Sequence, residues 1–178
     1  PLHDRKLPED CNALLLGGGY PELYGRELSQ NVSMRHAIKQ AFDQGMPIMA
    51  ECGGFMYLHD TMTDRDGVSY AMVGVVPAVC ADQGKSVRFG YIEIREKQSN
   101  FLAEGEVIKG HEFHYFDSTD NGDSCIATKP TTGREYSCVK AGENAWMGFP
   151  HLYYPSNPLF AENFVKKAGE YKGRSVNK

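Results

Sequence analysis

Two short apolar runs, Ala13–Leu16 and Pro47–Ala50, each lead into a glycine loop, and the residues between them carry helical periodicity. An apolar run without alternation suits a strand buried on both faces, as in a parallel sheet. From Glu22 to Gln44, Leu28, Val32, Ile38, Ala41 and Phe42 recur at near-helical spacing, which predicts a helix kinked near Ser29–Asn31 and closed by Gly45 and Pro47. The economical reading is a strand–helix–strand unit of a parallel sheet. Both glycine loops, Gly17-Gly18-Gly19 and Gly53-Gly54, then lie at its C-terminal edge.

Further along, Val73–Val76, Val87–Ile94 and Glu106–Tyr115 are rich in β-branched and aromatic residues and predict strands of more antiparallel character. Asp117–Asp123 reads as a polar turn and Glu135–Val139 as another strand. Asn157, as N-cap, and Pro158 open a final amphipathic helix through Phe160, Phe164, Val165, Ala168 and Tyr171, frayed after Gly169. With 178 residues, 41% of them hydrophobic, there is room for one substantial core and no second large domain. The chain opens at Pro1 in a charged stretch, as a domain of a longer polypeptide would.

Charge and cysteine usage narrow the function. Acidic residues number 23 against 19 basic ones, a net charge of −4, so no basic field is available for nucleic acid. The apolar runs fall far short of the roughly 20 residues that a membrane-spanning helix needs, and no signal peptide is visible. Five cysteines, an odd set without a CxxC pair, disfavour a disulfide framework or a metal site and point to a reducing, cytoplasmic compartment.

One cysteine stands apart. Ala50-Glu51-Cys52-Gly53-Gly54 follows the second parallel strand and precedes an apparent helix start at Phe55-Met56-Tyr57-Leu58. A sharp strand-to-helix turn strains its central residue and requires small residues two before and two after it, which Ala50 and Gly54 provide. Cys52 would project beside a helix N-terminus whose partial positive charge favours thiolate, poised as an exposed nucleophile. The backbone N–H of Gly53, together with one from the Gly17–Gly19 loop, can hold an oxyanion. Of six histidines, His3 lies near the start, and His36 and His59 fall in predicted helices. His111 and His114, three apart on a strand, face opposite ways, whereas Glu112 and His114 share a face. His151, on a loop after an apolar run, is well placed for Cys52; spacing alone leaves His151 and His114 both open as the base. Gly84-Lys85-Ser86 is no phosphate loop, because Val79 stands where its first glycine is required.

Taken together, Gly17-Gly18-Gly19-Tyr20-Pro21-Glu22, Ala50–Leu58, Gly90-Tyr91, Gly110-His111-Glu112-Phe113-His114-Tyr115 and His151 with Ser156-Asn157-Pro158 resemble the glutaminase domain of the cobyrinic acid a,c-diamide synthases. These are class I glutamine amidotransferases of cobalamin biosynthesis. The resemblance covers nearly the whole chain. It implies a flavodoxin-like, three-layer α/β fold with a mixed, partly parallel central sheet, and a glutaminase in which Cys52 attacks glutamine, His151 protonates the departing ammonia, and Gly19 and Gly53 are the oxyanion donors. Tyr20, Glu22 and His114 would border the substrate or an interface. No cofactor is implied within this domain. ATP and Mg²⁺ are implied for a synthetase domain, fused or separate, that binds the corrinoid acceptor.

One departure is Tyr153, which stands where many class I amidotransferases carry the glutamate that orients the histidine. A phenol supports imidazolium less well than a carboxylate, so low glutaminase activity is expected without the partner domain. Three alternatives stand beside this reading: a non-catalytic amidotransferase-like module that binds a partner, the glutaminase domain of cobyric acid synthase, and a cysteine hydrolase of related architecture.

Overall fold

The computed structural model describes residues 1–176. In chain order it forms β1 (Leu14–Leu16), a 3₁₀ turn (Pro21–Tyr24), α1 (Gly25–Gln30), α2 (Val32–Asp43), β2 (Ile48–Glu51) and α3 (Gly53–Tyr57). Then come β3 (His59–Thr63), β4 (Ser69–Ala71), β5 (Val76–Asp82), β6 (Arg88–Glu96) and β7 (Ile108–His114). The last part holds β8 (Phe116–Ser118), β9 (Cys125–Thr128), β10 (Glu135–Cys138), β11 (Lys140–Gly142), β12 (Ala145–Gly148), β13 (His151–Leu152) and α4 (Pro158–Val176).

The expected parallel unit is present: β1 pairs β2 in parallel, with Leu16 opposite Ala50. On its other side β2 pairs β12, also in parallel, and β11 closes the sheet antiparallel. This central sheet has order β1-β2-β12-β11. Side-chain alternation along it feeds two cores. Ile48, Ala50, Ala145 and Met147 pack with Leu28, Met34 and Ile38 of α1 and α2. Met49 and Trp146 face the other way, onto Ile92 and Ile94 of β6, Ile108 of β7 and Phe160 of α4. The second face is therefore covered by a five-stranded antiparallel sheet, β10-β9-β6-β7-β13, as well as by a helix. A third sheet, β4-β3-β5-β8, joins the first core through Met62, Val76 and Cys80.

Several local expectations need correction. The kink near Ser29–Asn31 is a full break: the Asn31 side chain accepts a hydrogen bond from the Met34 N–H and starts α2 as a new helix. The strand expected at Val73–Val76 begins only at Val76, because Gly74 has φ +77° and turns the chain ahead of it. Asn157 caps α4 only through its backbone carbonyl, which accepts from the Phe160 N–H. Its side-chain amide instead donates to Glu106 and to the Val107 carbonyl. Helix α4 continues through Val176.

Candidate active site

Cys52 has φ +47° and ψ −108°, a backbone conformation that costs a non-glycine residue about 1–3 kcal/mol. Hydrogen bonds on both sides hold it there. Its N–H donates to the Gly148 carbonyl at 2.9 Å, and its carbonyl accepts from the Met56 N–H at 2.9 Å as the first turn of α3. The small neighbours act as expected. A Cβ at Gly53 would lie 2.6 Å from the Gly19 oxygen and 2.9 Å from the Gly19 nitrogen, and one at Gly54 would lie 2.6 Å from the Leu16 carbonyl carbon. Two glycine loops from adjacent strands thus touch backbone to backbone, which places Gly19 beside Gly53.

These loops border a cavity of about 660 Å³ lined by Gly19, Tyr20, Glu22, Cys52, His114 and His151. Residues chosen from separate stretches of sequence are brought together here. Gly53 does not line the cavity; it packs against Gly19, which does. Tyr20 is largely exposed, whereas burial and the charge of Asp82 raise the Glu22 pKa against the opposing effect of its backbone hydrogen bond.

The thiol departs from expectation in two respects. Cys52 is buried, with 9% exposure, and lines the cavity. Nor is it a standing thiolate: burial pushes its pKa up to about 11, the charges of Glu22, Glu51 and Glu112 add to this, and the Gly53 N–H opposes it. Helix α3 has five residues, and its terminal field is overcome by desolvation. Alkylation of Cys52 by a small neutral electrophile should therefore rise with pH to a midpoint near 11, as read by peptide mapping. A midpoint at or below about 8.5, the value of a free cysteine, would contradict this.

His151 is the first residue of β13, not part of a loop, and pairs opposite His111 of β7. The two imidazoles stack, with centroids 4.9 Å apart and planes 15° from parallel. Beneath the ring lies Gly18, where a Cβ would sit 2.5 Å from His151 Cε1. Burial and then His111 and His114 lower the His151 pKa, with Glu112 opposing, so the ring is neutral near pH 7 and can accept a proton.

The other histidines separate clearly. His114 points opposite to His111, is 4% exposed and stacks on Phe149 at 4.0 Å. Its Nδ1–H donates to the Phe116 carbonyl at 2.6 Å, and its Nε2 lies 3.9 Å from Glu112. His59, expected in a helix, begins β3 in full burial, bridged between the Phe55 carbonyl and the Ser118 hydroxyl. His36 is exposed on α2, and His3 is exposed near the start.

Sequence reasoning missed the part that two residues play in this site. Gly18 leaves room for the His151 ring, a need visible only once β13 is placed. Glu51, treated as a spacer before Cys52, is buried on the face of β2 opposite Ala50. Its Oε2 lies 3.9 Å from His151 Nδ1.

Residues 1–157 match the model of the CobB/CobQ-like glutamine amidotransferase domain. The chain belongs to that family. Curated relatives include the cobyrinate a,c-diamide synthases of Caldanaerobacter subterraneus subsp. tengcongensis, 41% identical over 155 residues, and of Salmonella typhimurium, 36% identical over 173 residues. The matches cover 85% and 94% of this chain but 34% and 38% of those proteins, so the chain spans little more than a third of their length. Among solved structures, a glutamine amidotransferase aligns at TM-score 0.61 and 13% identity, covering 89% of this chain and 79% of that one. The PurLQS structure from Thermotoga maritima aligns at TM-score 0.53 and 18% identity, covering 98% and 84%. These likenesses establish a glutamine amidotransferase-like α/β fold.

In this amidotransferase domain Tyr153 does not stand in for an orienting carboxylate. It is 61% exposed, and its backbone N–H is spent on the Lys109 carbonyl.

Proposed function

We propose that this domain hydrolyses glutamine through a thioester on Cys52 and delivers the ammonia to an ATP-dependent synthetase portion that amidates the a- and c-carboxylates of a cobyrinic acid-type corrinoid. The observation that carries the reading is a thiol in a strained turn, a neutral imidazole and a glycine-loop backbone meeting at one cavity.

Glutamine enters with its amide toward Cys52. His151 takes the thiol proton as sulfur attacks the amide carbon, so no standing thiolate is required. Charge gathers on the former carbonyl oxygen, which the N–H groups of Gly19 and Gly53 receive. On collapse, His151 returns its proton to the departing nitrogen and ammonia leaves. Water, deprotonated by the same ring, then attacks the thioester; the C–S bond breaks, glutamate leaves, and the ring returns the proton to the Cys52 sulfur. Glu22 and Asp82, both lining the cavity, suit the α-ammonium group, and Arg65 suits the α-carboxylate. The synthetase portion would use ATP and Mg²⁺ to activate the acceptor carboxylates. The acceptor assignment rests on the names of the curated relatives.

The test supplies amide-¹⁵N glutamine, ATP, Mg²⁺ and cobyrinic acid to this chain together with its synthetase portion, fused or separate. Two labelled amides, at a and c, are expected. Label confined to other side chains would favour the cobyric acid synthase alternative, and absence of label would favour an idle module.

A further inference from the structure

His151 lacks the partner that many related sites place two residues after the histidine, yet a carboxylate reaches its Nδ1 from another direction. Glu51 sits at the C-terminal end of β2, opposite Gly148 of β12. Strand alternation turns it away from Ala50, onto the Met49 face, and toward the segment that follows His151. There its Oε1 accepts from the Tyr154 hydroxyl, and the Leu152 backbone N–H supports the same carboxylate. Its other oxygen is left at 3.9 Å from His151 Nδ1, an ion-pair separation longer than a hydrogen bond.

We propose that Glu51 is the positioning residue for His151: its carboxylate holds the proton on Nδ1, leaves Nε2 free to accept the Cys52 proton, and shortens onto the ring as that ring becomes charged. The inference rests on the nucleophile and base assigned above. Two further observations support it. The ring is confined on its other sides, by the His111 stack and by Gly18, so a group at Nδ1 sets its remaining freedom. And Glu51 is 8% exposed, where a charge is costly. The Tyr154 hydroxyl and the Leu152 N–H offset part of that cost and fix the carboxylate in place. At rest the ring is neutral: of the nearby charges on β7, His111 and His114 oppose its protonation and Glu112 favours it. Burial raises the Glu51 pKa, while Tyr154, Leu152 and His111 hold it down. A neutral ring matches the longer separation, and free-site contacts of this kind tighten as proton transfer proceeds.

The test is inactivation of the full chain by a diazo-ketone analogue of glutamine, with the limiting rate and the half-saturating concentration measured from pH 5 to 9. Glu51→Gln should lower the limiting rate about 10- to 100-fold and change half-saturation by less than about threefold. Its acid limb should move to lower pH, because the ring loses a neighbouring negative charge. A folded variant with an unmoved limb would overturn the proposal, whether or not the rate falls, since a scaffolding role would slow labelling without shifting it. Should Glu51→Gln not fold, Tyr154→Phe keeps the carboxyl and removes its phenol donor; the acid limb should then move to higher pH, and an unmoved limb would again overturn the proposal. Failure of the unsubstituted chain to form a Cys52 adduct would instead remove the nucleophile reading on which the inference stands.

Discussion

Cys52→Ala is expected to reduce glutamine hydrolysis at least about 10⁴-fold while leaving the domain folded. The loss is large because every bond made and broken in the proposed route passes through sulfur. Cys52→Ser should be nearly as inactive, since a hydroxyl is a poorer nucleophile at this pH. Folding should survive because the turn is held by backbone atoms, Cys52 N–H to Gly148 and Met56 N–H to the Cys52 carbonyl, and those bonds do not depend on the thiol. Glutamate release, measured beside circular dichroism, checks both parts. Residual activity within about tenfold of the unsubstituted chain would show that another group carries the reaction.

Gly54→Ala should act on stability, lowering it by about 3 kcal/mol or more. The added carbon would meet backbone, 2.6 Å from the Leu16 carbonyl carbon, and backbone in a central sheet cannot swing aside as a side chain can. The Gly54 N–H also donates to the Gly17 carbonyl at 3.1 Å, so relief of the clash would break the contact that joins the two glycine loops. For a domain of this size the loss corresponds to a fall in Tm of roughly 6–12 °C. Gly17→Ala is the control: a Cβ there meets nothing within 4 Å, and the change should stay within about 0.5 kcal/mol. Equal melting temperatures for the two variants would contradict the packing described.

The parts of this fold that could be read from the chain are those fixed by neighbours in sequence. Ala13–Leu16 and Pro47–Ala50 read as parallel strands because each is a short apolar run, and the turn at Cys52 reads from its own small flanking residues. What needed a distant partner was missed. His151 becomes a strand residue only through pairing with His111, forty positions earlier in the chain. His59 looked helical because it follows the apolar run Phe55–Leu58, but α3 stops at Tyr57 and the chain turns into β3. The polar strands β3 and β4, His59–Thr63 and Ser69–Ala71, lack an apolar alternation long enough to announce them.

The site divides in the same way. Cys52 and Gly53 are readable from local turn geometry, and Gly19, within the Gly17–Gly19 loop, from the family resemblance. The state of the thiol does not: the helix-terminus argument pointed to thiolate, and burial reversed it. Glu51 stands next to the nucleophile in sequence yet faces away from Ala50, and only the three-dimensional course of Leu152–Tyr154 reveals what it touches.

The central claim, that Cys52 is the nucleophile toward glutamine, is tested most directly by treating the chain with the diazo-ketone glutamine analogue and locating the adduct by peptide mass spectrometry. The account predicts one adduct, on Cys52, suppressed by excess glutamine and absent from Cys52→Ala. An adduct on Cys11 instead, or labelling of Cys52 that glutamine does not slow, would contradict it.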